Sequence, residues 1–338
     1  MSRPPTAYTL GPAGGLQIAV SDFGARWLSC LVPLADGSHR EAILGHETAA
    51  SHPTEPGFFG AIVGRYANRL AGAAFRLDGR EHQLVANEGA NQLHGGPDGF
   101  DRRPWRVVER GPLHLRLALH SPDGDQGYPG ALDAEVEYRV DPARPALTLR
   151  FVARTSAPCP VSLTSHPYFN LDGGTAPVLG HRLQVAAQHM LPVRADMIPT
   201  GEVAPVDGTP FDLREARRIG DGLGQGEQQR RGSGYDHCFV LDADAACGER
   251  AAAELISSDG RLAMRLYTDY PGLQVCSGNF VQHSRGRDGR PFERHAGIAL
   301  EPQFFPDAPN HPAWREQGCL LRPGRPLSRW MRVEFDPR

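Results

Sequence analysis

Two ionisable side chains, one imidazole and one carboxylate, stand directly before a proline. His166 lies in the stretch SLTSHPYFNLDG, and Glu301 lies in IALEPQFFPDAPNHP. The proline ring crowds the residue before it and favours an extended backbone there, so each side chain has a restricted direction. Proline also lacks an N–H, so any strand through Pro167 must be interrupted or lie at an edge. We therefore predict one proton donor and one proton acceptor in fixed positions, a pairing suited to general acid–base chemistry.

Four further stretches concentrate polar residues. They are GRYANRL with Arg65, Asn68 and Arg69, NQLHGG with Gln92 and His94, GSGYDHCFVL with Asp236 and His237, and PGLQVCSGNF with Gln274 and Asn279. These stretches also have purely structural interpretations. His94 could bond a turn, Asp236 could cap a loop and Asn68 could bond its own backbone, whereas Arg65 and Arg69 could form a solvated charged face. In IALEP, strand alternation puts Ile298 and Leu300 on one face. Ala299 and Glu301 share the other face, and Glu301 is expected to project from the strand end, away from the packed side.

The residues leave several kinds of chemistry open. The candidate metal ligands are His94, His166, His237 and Glu301. No two of these histidines have the H-x-H or H-x₃₋₅-H spacing near a carboxylate, so we do not predict a metal site. A serine triad is not supported, because the chain has no G-x-S-x-G motif. Asp236 and Glu301 are possible partners in a glycosidase, which needs two carboxylates flanking a bond.

The composition removes further mechanisms. All 36 residues counted as lysine or arginine are arginine, so a lysine Schiff base and a P-loop lysine are both impossible. The net charge of −3 does not indicate nucleic acid or an anionic membrane as a partner. The six cysteines are far apart without a CxxC pair, so we expect reduced thiols. No apolar run is long enough to span a membrane and the N-terminus lacks a secretory apolar core, so we expect a cytoplasmic protein.

The elements that must position these residues are predicted to be strands. A period of two with one apolar face runs through residues 113–119, 147–151 and 331–335. Asp-Gly pairs at residues 78–79 and 259–260 mark two hairpins. These segments predict several half-buried antiparallel strands.

Helices are expected only as short segments. The two candidates are residues 214–219 and 41–50, and the glycine-rich residues 220–234 are expected to form a surface loop inside one domain. The chain has no alternation of strands with long helices, which argues against a parallel α/β fold. We therefore predict an all-β protein built as a large antiparallel β-sandwich.

Six motifs, in the same order along the chain, resemble those of the aldose 1-epimerase family, also called galactose mutarotases. They are GRYANRL, NQLHGG, TSHPYFNLDG, GYDHCFVL, PGLQVCSGNF and LEPQFFPDAPNHP, and they extend from about Gly64 to His311. The resemblance implies one galactose mutarotase-like β-sandwich domain over residues 1–338, with a sugar cleft on one face and no cofactor. The chain departs from the family pattern at Pro167 and Pro302, and neither changes a proton-transfer group.

The resemblance also implies roles for single residues. It implies Glu301 as general base and His166 as general acid in the interconversion of the α and β anomers of free hexoses such as galactose and glucose. The implied sugar-binding residues are Asn68, Arg69, His94, Tyr168, Asp236 and Gln274. Two alternatives stay open: a non-catalytic carbohydrate-binding module, which would not need the Glu301–His166 pair, and a glycosidase or lyase on a β-sandwich. The expected partner is a small-molecule sugar, and the sequence does not indicate an oligomeric state.

Overall fold

The computed structural model describes residues 4–46, 57–174 and 176–338, and strands dominate them. In chain order, the first strands are β1 (Ala7–Leu10), β2 (Gln17–Ser21), β3 (Trp27–Pro33), β4 (His39–Glu41), β5 (Ile62–Val63), β6 (Arg69–Leu70), β7 (Ala74–Leu77), β8 (Arg80–Gln83), β9 (Gln92–Leu93), β10 (Arg106–Arg110), β11 (His114–Ser121), β12 (Leu132–Val140) and β13 (Ala146–Thr155). The remaining strands are β14 (Cys159–Pro160), β15 (Thr164–Ser165), β16 (Tyr168–Phe169), β17 (Arg182–Val185), β18 (His189–Met190), β19 (Ala204–Pro205), β20 (Arg217–Arg218), β21 (Asp236–Val240), β22 (Ala253–Ile256), β23 (Leu262–Thr268), β24 (Gly272–Cys276), β25 (Ile298–Gln303), β26 (Leu320–Leu321) and β27 (Leu327–Pro337).

Helices are short in the described residues. The α-helices are α1 (Gly226–Arg231) and α2 (Pro312–Arg315). Single 3₁₀ turns lie at Ala71–Ala73, Phe100–Arg102, Asp125–Gly127, Val178–Gly180, Ile219–Gly222, Val281–His283 and Ala308–Asn310. None of the helices in this part of the chain is long and apolar enough to cross a membrane.

The larger sheet has nine strands in the order β10-β11-β12-β13-β27-β23-β22-β17-β20, paired antiparallel. The three predicted alternating segments lie in its strands β11, β13 and β27, except for residue 113, which directly precedes β11. In β13, for example, Leu147, Leu149 and Phe151 are buried, whereas Arg150 between them is exposed. The strand prediction is therefore confirmed, because one face of each strand packs into the core and the other meets solvent.

The second large sheet has six strands in the order β16-β25-β24-β21-β18-β19, again antiparallel. Leu300 of this sheet and Leu149 of the nine-stranded sheet belong to the same apolar core, which lies between the two sheets. This arrangement is the predicted antiparallel β-sandwich. Ala299 belongs instead to a smaller apolar cluster on the opposite face, so the predicted alternation in β25 is confirmed. Glu301 is buried and the strand continues to Gln303, so the prediction that Glu301 projects from the strand end was wrong.

Both predicted hairpins are present, as β7–β8 and β22–β23. The helix predicted at residues 214–219 was wrong, because residues 217–218 form β20 and a 3₁₀ turn follows. β20 pairs with β17 at the edge of the nine-stranded sheet, and this tertiary pairing overrides the local pattern. Residues 41–46 are a strand end and an irregular segment rather than a helix, and residues 47–50 lie outside the described residues.

Residues 220–234 were predicted to form a loop, and the structure shows the six-residue helix α1 within them. Six residues are too few to show a helical period, and an isolated helix of this length is not stable in water. Tertiary contacts hold it: the Gln228 side chain accepts a hydrogen bond from the Val193 N–H (2.8 Å) and donates one to the Val193 carbonyl (3.1 Å).

Candidate active site

The polar face of the six-stranded sheet brings together side chains from four strands. Glu301 in β25 lies directly opposite Gln274 in β24. Cys276, two residues after Gln274 in β24 and therefore on the same face, lies opposite Asp236 in β21. Tyr168 in β16 pairs with β25 in the register that places it on this face as well. Because directly opposed residues share a face of a sheet, Tyr168, Glu301 and Asp236 project from one surface.

A cavity of about 270 Å³ opens on this face. This volume lies near the lower end for small-molecule pockets and suits a ligand the size of a monosaccharide. Seven of the eight predicted site residues line it, namely Asn68, Arg69, His94, His166, Tyr168, Asp236 and Glu301. The eighth, Gln274, is buried and does not line the cavity; its side chain donates a hydrogen bond to Asp236 Oδ1 (2.7 Å).

His166 is positioned by its backbone. The chain leaves β15 just before His166-Pro167 and enters β16 just after it, so the strand is interrupted there, as predicted. The His166 N–H donates to the Ala61 carbonyl (2.9 Å), and the Gly60 N–H donates to the His166 carbonyl (2.8 Å). Both backbone polar groups of His166 are therefore bonded to a neighbouring segment, and these bonds fix the main-chain position from which the imidazole reaches the cavity floor.

The side chains of His166 and Glu301 form the centre of that floor. His166 Nε2 lies 3.3 Å from Glu301 Oε1, and the side chains are only 6% and 2% exposed. Burial lowers the pKa of His166 to about 4. Burial, and then the charge of Asp236, raises the pKa of Glu301 well above its usual value, while Arg69 lowers it. Both net shifts favour the neutral forms. Between the two pKa values the pair therefore holds one titratable proton, on Glu301, beside an uncharged imidazole.

His94 is held in one tautomer by the main chain. The Asn68 N–H donates to His94 Nδ1 (3.1 Å), and the His94 N–H donates to the Asn68 carbonyl (3.0 Å). A ring nitrogen that accepts a hydrogen bond carries no proton, so the proton of the neutral imidazole is on Nε2. Burial, and then the neighbouring His166 and Arg69, lowers the pKa of His94 well below its usual value. His94 is therefore a neutral hydrogen-bond donor through Nε2.

Aromatic rings pack around these imidazoles. The Tyr168 ring centroid lies 5.0 Å from that of His166 and 4.9 Å from that of Phe59. The Phe58 ring centroid lies 4.4 Å from that of His94. These rings contribute to the burial of the two imidazoles, and desolvation by burial is the largest cause of the lowered pKa of both histidines.

Arg69 lies between two carboxylates. Its Nε and Nη2 donate to the two oxygens of Glu88, at 2.6 Å and 2.8 Å. Its Nη1 lies 3.8 Å from Asp236 Oδ2. Burial, opposed by the charge of Arg69 and by the Gln274 hydrogen bond, raises the pKa of Asp236. Arg69 and Asp236 thus give the cavity lining a hydrogen-bond donor and an acceptor of the kind that bind hydroxyl groups.

A metal cluster is geometrically possible at the cavity floor. His94, His166 and Glu301 each offer one ligand atom, and these atoms lie within 4.8 Å of one another. The spacing along the sequence did not indicate this cluster, because its members come from three separate segments. Metal-bound histidine uses an unprotonated nitrogen. The hydrogen bond from Asn68 keeps the His94 proton on Nε2 and so opposes coordination there, and we retain the prediction of a site without metal.

Comparison with known proteins identifies the family. The family model described as aldose 1-epimerase matches residues 6–334. The chain is 42% identical over 334 residues to the aldose 1-epimerase of Escherichia coli (strain K12), covering 98% of this chain and 96% of that protein. The chain belongs to the aldose 1-epimerase family. It is therefore an isomerase of the epimerase, or mutarotase, type, and the predicted resemblance is confirmed.

More distant relatives agree with this assignment. The galactose mutarotase of Homo sapiens is 37% identical over 313 residues, covering 91% of this chain and 88% of that protein. The crystal structure of galactose 1-epimerase from Lactobacillus acidophilus NCFM is 28% identical and covers all of this chain and 97% of its own, with a TM-score of 0.85. A GalM/aldose epimerase homologue from C. elegans, 26% identical, gives a TM-score of 0.90 and covers 98% of this chain and 99% of its own. The sandwich is therefore the fold of galactose mutarotases.

Several residues of the motifs serve the fold rather than the cavity. Arg65 is buried, and its guanidinium donates to main-chain carbonyls, among them that of Pro122 (2.7 Å). His237 lies on the core face of β21, where its Nδ1 accepts the Asp236 N–H and its Nε2 lies 3.2 Å from Gln228 Oε1. The Asn279 side chain donates to loop carbonyls. None of these residues lines the cavity, so their contacts are structural. Arg65 is buried, and its interpretation as part of a solvated charged face was therefore wrong.

Sequence reasoning missed other residues that line the cavity, among them Phe58, Glu88, Cys276 and Phe280. Cys276 had a signal, because it is two residues from Gln274 and therefore shares its strand face. Glu88 lies six residues before His94, in the turn that leads to it, and only the folded chain brings it to Arg69. Phe280 is the last residue of the motif PGLQVCSGNF, whereas Phe58 lies outside the motifs and outside any alternating segment.

Proposed function

We propose that this epimerase interconverts the α and β anomers of free hexoses such as galactose and glucose, with Glu301 as general base and His166 as general acid. The observation that carries the proposal is the buried contact of 3.3 Å between His166 and Glu301 at the floor of a monosaccharide-sized cavity. Membership of the family supports the reaction class. The residue roles rest on the geometry, and the choice of sugars is supported by the relatives named galactose mutarotase and galactose 1-epimerase.

The reaction requires two proton transfers at neighbouring oxygens. In the first step Glu301 takes the proton of the anomeric hydroxyl while His166 gives one to the ring oxygen, and the bond between the anomeric carbon and the ring oxygen breaks. The open aldehyde rotates about the bond between its first two carbons and closes on its other face, with the two groups exchanging duties. Both oxygens are bonded to the same carbon, so the two catalytic groups must lie close together, as these do.

The shared proton suits this exchange. One group must accept a proton while the other donates one, so the productive pair carries one proton in total. Burial favours this one-proton state with the proton on Glu301, because it lowers the pKa of His166 to about 4 and raises that of Glu301. Transfer of that proton to His166 across the 3.3 Å contact gives the ionised Glu301 and the protonated His166 that the first step uses. The return step restores the pair to its starting state, and no further proton carrier is required.

The remaining residues would hold the sugar and stabilise charge. The Nε2–H of His94 is a fixed neutral donor that can stabilise negative charge developing on oxygen, as can Arg69. Asp236, held by Gln274, can accept a hydrogen bond from a hydroxyl. Tyr168 presents an aromatic ring to the cavity, which suits the apolar face of a sugar. None of these steps needs a cofactor.

We also infer that the chain forms one domain over residues 1–338. The C-terminal strand β27 lies between β13 and β23 in the nine-stranded sheet, so the end of the chain completes a sheet begun in its middle. The segment after β4 forms a bridge from Ile43 to Phe169, which ties the N-terminal sheet to the site. Removal of either end would therefore be expected to disrupt the fold. The predicted cytoplasmic location stays a prediction.

Optical rotation tests the proposed function. Freshly dissolved α-D-galactose and α-D-glucose approach their anomeric equilibrium slowly, and the change can be followed in a polarimeter. We expect the added protein to accelerate that approach in proportion to its concentration without altering the final rotation. An unchanged rate with both hexoses would contradict the proposal.

A further inference from the structure

Arg69 is the only arginine that lines the cavity in the described part of the chain. Glu88 binds one edge of its guanidinium with two hydrogen bonds, at 2.6 Å and 2.8 Å. A bidentate pair of this kind fixes the plane of the guanidinium as well as its position. It also leaves the N–H groups of Nη1 free of Glu88, on the edge nearer Asp236.

The distance from Arg69 Nη1 to Asp236 Oδ2 is 3.8 Å, which is too long for a hydrogen bond. A donor and an acceptor at this separation can both bond to one hydroxyl group, because a hydroxyl accepts and donates at the same time. Gln274 holds Asp236 from the other side with a hydrogen bond of 2.7 Å. Glu88 thus holds Arg69 and Gln274 holds Asp236, so the gap between Arg69 Nη1 and Asp236 Oδ2 stays open.

Glu88 is held in place by its turn. The N–H of Glu88 donates to the Asn91 carbonyl (3.1 Å), and the Asn91 N–H donates to the Glu88 carbonyl (3.0 Å). The Asn87 side chain binds both backbone groups of Leu93, at 2.7 Å and 3.0 Å. Since the next residue is His94, the same turn that carries Glu88 leads directly into the site.

We propose that Glu88 is a positioning residue for the sugar site: it holds Arg69 away from Asp236 and Glu301, so that the guanidinium binds a sugar hydroxyl instead of the two carboxylates. Without Glu88, the buried cation would have Asp236 and Glu301 as its only acidic neighbours among the lining residues. A direct ion pair with Asp236 would then close the gap that the hydroxyl occupies. This inference rests on the proposed function, because it assigns Glu88 to the binding of that substrate.

Kinetics of Glu88→Gln test the inference. We expect KM for α-D-galactose or α-D-glucose to rise by about tenfold, the equivalent of one charge-assisted hydrogen bond. We expect kcat to change by less than about twofold, because Glu88 does not touch the proton-transfer pair. Glu88→Asp keeps the charge and should restore much of the affinity. The matched control is Glu109→Gln, which removes an exposed carboxylate that binds Arg116 at 2.9 Å, and neither residue lines the cavity, so KM should stay unchanged.

The outcomes separate this inference from the proposed function. An unchanged KM in Glu88→Gln, a change equal to that of Glu109→Gln, or no recovery in Glu88→Asp would overturn the positioning role while the wild type stays active. If the wild type itself does not interconvert anomers, the proposed function fails. Calorimetric titration of wild type and Glu88→Gln with D-galactose then decides the role of Glu88: weaker binding by the variant supports it, and equal binding overturns it.

Discussion

Glu301 and Glu135 lie on the two large sheets in outwardly similar settings. Glu301, in β25, has the imidazole of His166 at 3.3 Å, and Glu135, in β12, has the guanidinium groups of Arg116 and Arg154 each at 3.6 Å. The two glutamates differ in burial: the Glu301 side chain is 2% exposed and the Glu135 side chain 30%. The first lies at the cavity floor, and the second lies on the solvent face of the nine-stranded sheet.

This difference shows why the same residue type has different consequences in the two places. Water screens the charges around Glu135, so its ion pairs contribute little. At the cavity floor, desolvation raises the pKa of Glu301 and lowers that of His166 to about 4. A proton can then be shared within one pair, and proton transfer to and from a substrate becomes possible near neutral pH.

The largest expected effect is that of Glu301→Gln. The amide has nearly the same shape but cannot accept the proton of the anomeric hydroxyl, so we expect kcat to fall by about 10³–10⁴-fold. Polarimetry with α-D-galactose measures this, and circular dichroism checks that the fold is kept. A variant that keeps more than about a tenth of the wild-type kcat would mean that Glu301 is not the base.

His166→Asn should have a large but smaller effect. It removes the proton donor to the ring oxygen, while the Nε2–H of His94 can still donate a hydrogen bond nearby. We expect kcat to fall by about 10²–10³-fold, with KM changed much less. Loss of affinity alone, with kcat retained, would assign His166 to binding rather than to proton transfer.

Asp236→Asn should act on binding more than on turnover. The carboxylate facing Arg69 becomes an amide, so the acceptor for a sugar hydroxyl is weakened, and we expect KM to rise by about tenfold. Isothermal titration with D-galactose gives an independent measure of the same loss. If affinity is unchanged and kcat alone falls, Asp236 acts through its charge on Glu301 rather than by binding the sugar.

Glu135→Gln is the chemical match of Glu301→Gln on the other sheet and should have the smallest effect. Its ion pairs are partly exposed and longer than hydrogen bonds, so we expect kcat and KM to stay at the wild-type values. The free energy of unfolding, measured by urea denaturation, should change by no more than about 0.5 kcal/mol. A loss of turnover in Glu135→Gln would contradict the claim that burial, rather than residue type, distinguishes Glu301 from Glu135.

Much of this fold follows from local sequence. The alternation at residues 147–151 and the Asp-Gly hairpins depend on neighbouring residues only, and both were predicted correctly. The helix predicted at residues 214–219 was wrong because pairing of β20 with a distant strand decides that segment. Local pattern is therefore reliable where one sheet face is buried, and unreliable at a sheet edge.

The candidate site follows the same distinction. His166 and Glu301 were singled out by their pre-proline positions and by the motifs, and the fold brings them into contact. The tautomer of His94 depends on the main chain of Asn68, and the role of Glu88 depends on an ion pair across the cavity wall. Neither contact has a sequence pattern, because each joins segments whose distance only the folded chain defines.

The pH dependence of kcat/KM for anomer interconversion tests the central claim, that burial makes His166 and Glu301 share one proton. Activity should rise as the pH increases through about 4, where the pair loses its second proton from His166. It should fall only when the pair loses its last proton, at the raised pKa of Glu301. An acid limb near the ordinary histidine pKa of about 6.5 would show that His166 titrates as an exposed imidazole and would contradict the account.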